Sequence, residues 1–77
     1  LPALITIHRD KPGVMMQVTS ILAEEGLNIA FMRLSRQRRG EMAMMILELD
    51  ELPSAAAVTA CRDLDVVEQA FAVPSIE

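Results

Sequence analysis

The chain has 77 residues, 52% of them apolar, and a net charge of −4. That length fits one domain, and the negative charge argues against nucleic acid and against an anionic membrane surface. A domain this small buries only about 60% of its unfolded surface, so so apolar a composition predicts that some of the apolar surface meets a partner.

Ala3 to His8 alternates bulky and smaller side chains, with Leu4, Ile5 and Ile7 suiting a strand. Pro12 and Gly13 end it. From Val14 to Glu25 the apolar residues Val14, Val18, Ile21 and Leu22 fall at the spacing of one helical face, and Gly26 is a helix stop. Asn28 to Gln37 reads as a second strand, with Ile29, Phe31, Arg33 and Ser35 on one side and Ala30, Met32, Leu34 and Arg36 on the other. The stretch QRRGE is a hairpin turn with Gly40 at its tip. Met42 to Asp50 is a third strand, with Ala43, Met45, Leu47 and Leu49 forming an apolar face. Ser54 is placed to cap a short helix running through Arg62. Asp65 to Val73 is a last strand, ended by Pro74.

Strand, helix, strand, strand, helix, strand is the split βαβ order. It predicts an α+β, ferredoxin-like sandwich over residues 1–77, with a four-stranded antiparallel sheet and both helices on one face. The other face is left open, and its partly apolar strips predict packing on a partner. The chain begins with Leu1 rather than Met, which predicts a piece of a larger enzyme. Its one cysteine, Cys61, excludes an internal disulfide and fits a reducing, cytoplasmic setting. The longest apolar run, Met42 to Leu47, is far short of a membrane span, and no signal peptide is visible.

Such a sheet serves many functions, so each is weighed at its residues. RNA binding needs aromatic side chains on the central strands to stack bases. Arg39-Gly40 begins like an RNA-recognition signature, yet Glu41, Ala43 and Ile46 stand at the aromatic positions, and Phe31 and Phe71 are the only aromatics. The cluster Arg33, Arg36, Arg38 and Arg39 reads as a solvated, edge-protecting hairpin, or else as a docking patch for an acidic partner. One histidine and one cysteine far apart make no metal set. Nor do His8 and Cys61 make a nucleophile and base, since no third group orients them. No catalytic residue is assigned, and Cys61 reads as a small core residue.

The stretch HRDKPGV carries the remaining chemistry. The N–H groups of Gly13 and Val14 at a helix start suit a carboxylate. Lys11 adds positive charge, Asp10 can accept from an ammonium group, and His8 can meet a side-chain hydroxyl. Those are the groups that hold an α-amino acid. The plainer reading is that Asp10 caps the helix, that Pro12 sits in its first turn, and that His8 satisfies a local backbone group. Asn28 is either a turn residue or a ligand contact supplied across an interface.

IHRDKPGV, ILAEEGLNIAFMRLSR and GEMAMMILELD together resemble the ACT domain, a family of small amino-acid-sensing regulatory modules. The resemblance covers nearly the whole chain. NIAFMR, RGE and AMM are similar to the C-terminal domain of iron–sulfur-dependent L-serine dehydratase; the serine-sensing domain of D-3-phosphoglycerate dehydrogenase is next. The resemblance implies a homodimer paired edge to edge through the second strand, with L-serine or a similar amino acid enclosed between the copies. His8, Asp10, Lys11, Pro12, Gly13 and Val14 of one copy would face Asn28 and Ile29 of the other. Serine-binding members often carry Asn where this chain has Asp10, a change that either strengthens the ammonium contact or abolishes this ligand mode. In the dehydratase setting the domain would control conversion of L-serine to pyruvate and ammonia. The 4Fe-4S cluster would lie in the attached catalytic part, with no cofactor here. A ligand-free dimerisation module is the alternative.

Overall fold

The computed structural model describes residues 1–36, 38 and 40–75. Its elements are β1 (Ala3–Arg9), α1 (Val14–Glu24), β2 (Ile29–Arg36), β3 (Met42–Leu49), α2 (Ala55–Arg62) and β4 (Val67–Val73). The strands form one antiparallel sheet in the order β2-β3-β1-β4. The expected α+β, ferredoxin-like arrangement is therefore the observed one. Gln37 and Arg39, which the hairpin and arginine-cluster readings include, lie outside the described residues.

Alternation decides which side of the sheet is covered. Leu4 of β1 and Ala43, Met45, Leu47 and Leu49 of β3 point to the helices and are buried. They meet Val14, Val18 and Leu22 of α1 and Cys61 of α2 in one core cluster. Burial pushes the Cys61 thiol above its ordinary pKa, as suits an inert core residue. The opposite set of side chains, including Met42, Met44 and Phe71, remains exposed.

The helix signals act locally. Gly13 is the N-cap of α1 with φ 88°, a left-handed conformation that costs glycine nothing. A Cβ at Gly13 would meet nothing within 4 Å, so backbone conformation and not space demands glycine there. Ser54 caps α2 by accepting from the Ala57 N–H at 3.1 Å. Ser54 also donates through its hydroxyl to the Glu25 carboxylate, tying the end of α1 to the start of α2.

One strand departs from simple alternation. The β2–β3 register runs Ile29 to Leu49 and then Phe31 to Glu48, so Ala30 is an extra residue. The bulge turns Ile29 to the helix side, where it packs against the core. Ile29 and Phe31 therefore do not share a side, contrary to the strict period-two reading.

β2 is the other consequence of the strand order. It is a sheet edge, paired on one side only by β3, and every residue from Ala30 to Arg36 is exposed. Phe31 is 52% exposed on the open side, while Met32 and Leu34 are 38% and 43% exposed on the helix side. The helices cover β3, β1 and β4 and stop short of this edge.

Candidate functional site

β1 delivers His8 and Arg9 to one end of the sheet, where the chain turns toward α1 through Asp10, Lys11, Pro12 and Gly13. The residue that organises this corner is Asp10. Its N–H donates to the Glu41 carbonyl at 2.6 Å. Its Oδ2 accepts from Arg36 Nη1 at 2.7 Å and from the Gly40 N–H at 3.1 Å. Arg36, then Gly40, hold the Asp10 carboxyl below its ordinary pKa. Asp10 thus clamps the β1–α1 loop to the β2–β3 hairpin.

This corrects the capping reading. Asp10 does not cap α1, because Gly13 is the N-cap and no side chain bonds to it there. Pro12 is likewise outside the helix, ahead of Gly13. The Val14 N–H points back at the Lys11 carbonyl, 3.5 Å away. Lys11, Pro12 and Gly13 are exposed and Val14 is buried.

His8 is 3% exposed, and its Nδ1 shares a 3.1 Å hydrogen bond with the Thr6 hydroxyl. The hydroxyl it meets is the chain's own. Burial lowers the His8 pKa below 6.5, against an opposing pull from the Asp10 charge. A base with a depressed folded pKa loses stability as pH falls from its unfolded value toward its folded one. We expect unfolding free energy to decline as pH drops below about 6.5. In His8→Gln, denaturant titrations across this range should show a flatter pH dependence.

The arginine cluster resolves unevenly. Arg36 is committed to Asp10, and Arg38 lies 3.9 Å from Glu41, both exposed. The sequence reading gave Arg36 either a solvated, edge-protecting place or an acidic partner, and not a bond to Asp10. Strand register carried the missing signal, since Arg36 pairs with Ala43, and Ala43 with His8. Those pairings set Arg36 beside the loop.

Asn28 and Ile29 lie elsewhere. Asn28 Nδ2 donates to Asp50 Oδ2 at 3.0 Å, and the Asn28 carbonyl accepts from the Asp50 N–H at 3.2 Å. Ile29 pairs with Leu49, whereas Arg9 pairs with Met42 at the other end of β3. At ~3.3 Å per strand residue the two groups are roughly 20 Å apart in one chain. A single copy does not bring them together.

A cleft of about 360 Å³ opens at the corner, lined by Asp10, Lys11, Pro12 and Arg36. That is at the small end of ligand cavities, which suits a small polar molecule. Among the described residues no group of three or more His, Cys, Asp or Glu is placed to hold a metal ion. No helix among them is long and apolar enough to cross a membrane.

The sequence profile of the AHAS small subunit-like ACT domain matches residues 4–69. This chain belongs to the ACT domain family. The ACT domain is 35% identical over 60 residues to D-3-phosphoglycerate dehydrogenase 3, chloroplastic, of Arabidopsis thaliana, covering 78% of the chain and 10% of that protein. It is 34% identical over 50 residues to the probable L-serine dehydratase, beta chain, of Bacillus subtilis (strain 168), covering 65% of the chain and 23% of that protein. The ACT domain therefore spans less than a quarter of the length of either relative. Its fold is similar to the ACT domain from GTP pyrophosphokinase of Chlorobium tepidum, with a TM-score of 0.67 at 15% identity over 99% of this chain and 88% of that one. An ACT domain is a regulatory module and not a catalytic one.

Proposed function

We propose that this ACT domain senses a small amino acid, L-serine, between two copies paired through β2, and that it controls an attached L-serine dehydratase. The observation that carries the reading is the uncovered β2 edge together with the separation of the two halves of the site. Antiparallel pairing of β2 with β2 of a second copy sets Ile29 of one strand near Arg36 of the other. Asn28 and Ile29 then arrive at the His8–Val14 corner of the opposite copy. The same pairing covers Phe31, Met32 and Leu34 and removes an exposed edge. It is isologous, as a two-fold dimer requires.

L-serine is favoured as effector because one relative is named for acting on it. The small cleft with a carboxylate and two cations fits an amino acid. Binding would tighten the pair, and the attached catalytic parts would feel a population shift. Asn28 would exchange its internal partner, Asp50, for the ligand. The iron–sulfur cluster of such a dehydratase needs several cysteines, and this chain has only the buried Cys61. The cluster would be held by the catalytic part. A phosphoglycerate dehydrogenase is the other enzyme setting, supported by the Arabidopsis relative.

A ligand-free dimerisation module is the second reading. It is favoured by the internal engagement of both Asp10 and Asn28. Amide NMR of the chain titrated with L-serine, against D-serine, L-alanine and glycine, separates the two. The sensor reading expects saturable, L-serine-selective shifts at Gly13, Val14 and Asn28. A chain that sediments as a dimer and shows no such shifts is an assembly device.

A further inference from the structure

We infer that Arg36 is a specificity-determining residue of the effector site: its guanidinium takes the ligand's carboxylate while Asp10 takes the ligand's ammonium group. The inference rests on the amino-acid-sensing reading and extends it to a residue at the far end of β2.

The Asp10–Arg36 pair is a fixed dipole of opposite charges on the wall of the cleft. Among the described residues, the donors that reach the Asp10 side chain end on Oδ2, which leaves Oδ1 to an incoming donor. Arg36 turns Nη1 to Asp10, and its side chain remains 47% exposed. A guanidinium carries five N–H groups in a planar fork, so it can hold Asp10 and still present donors to a second carboxylate. A zwitterion laid antiparallel to the pair sets each of its charges against the opposite charge of the chain. A monovalent anion or cation satisfies only half of that pattern.

The pairing with Arg36 also sets what the Asp10 carboxylate selects. A free carboxylate would draw any cation. Pre-paired with Arg36, it favours a ligand that brings both charges. Arg36 also lines the neighbouring groove with Ser35, Met42 and Met44, so it stands where the loop cleft meets the pairing edge. The alternative carboxylate site is the start of α1, where the Val14 N–H already points to the Lys11 carbonyl.

The test compares L-serine with L-serinamide, which keeps the ammonium group and loses the carboxylate charge. Affinities are read from amide shifts in wild type, Arg36→Gln and Arg36→Lys. Wild type is expected to prefer L-serine by roughly ten- to a hundredfold, the worth of a hydrogen bond between charged groups. Arg36→Gln should lose that preference and retain its response to L-serinamide. Should glutamine disturb the hairpin, the lysine variant gives the reading, because one ammonium cannot span Asp10 and the ligand as a fork does. An unchanged preference in a folded variant overturns the role of Arg36 and leaves the sensor standing, with the carboxylate held at Gly13 and Val14. Absence of any wild-type response to L-serine overturns the sensor reading and this inference together.

Discussion

Leu47→Ala is expected to cost about 2–5 kcal/mol, the range for removing a fully buried leucine and leaving a cavity. Leu47 is 0% exposed, at the middle of β3, between Leu4 of β1 and Met32 of β2. A domain of 77 residues holds only roughly 4–12 kcal/mol in total, at typical values per residue. The loss is therefore a large fraction of the whole. Urea or thermal unfolding followed by circular dichroism should show a sharply lowered midpoint, down to an unfolded chain near physiological temperature at the upper end of the range. A shift of less than about 1 kcal/mol would place Leu47 outside the packed core.

Met32→Lys is expected to separate the two copies without unfolding either. Met32 is 38% exposed at the sheet edge, so in the single chain a lysine there can lay its stem along the sheet and carry its charge to solvent. In an antiparallel β2 pair it lies near the two-fold axis, beside its own counterpart and Arg33. Like charges brought together at an interface cost several kcal/mol, which weakens pairing by roughly a hundredfold or more. Under the proposed pairing, sedimentation should show a dimeric wild type and a monomeric variant. The L-serine response should disappear with it, because the proposed pairing takes Asn28 from the other copy. A variant that stays dimeric moves the interface away from β2.

Most of the architecture was legible in the residues. Val14, Val18 and Leu22 at helical spacing, and Ala43, Met45, Leu47 and Leu49 at strand spacing, are the buried faces. Ser54 was readable as a cap for the same reason, since its hydroxyl meets an N–H three residues away. These are local effects, set by period and by neighbours in the chain. The bulge at Ala30 was not legible, because β2 is solvated on both sides and its alternation carries no strong pattern.

The candidate site divides along the same line. HRDKPGV by itself determined where a polar loop meets a helix start, and its order with ILAEEGLNIAFMRLSR and GEMAMMILELD pointed to the ACT family. What each polar group binds was decided by tertiary structure. Asp10 has a helix in front of it in sequence, yet it joins Arg36 and Gly40, 26 and 30 residues away. His8 turns inward to Thr6, and Asn28 to Asp50. A short polar side chain takes the donor that strand register brings nearest, and register is set by pairing across the sheet. So the sequence determined the fold and the family. The partners of Asp10, the isolation of Asn28 from it and the exposure of β2 were decided only when the strands took their order.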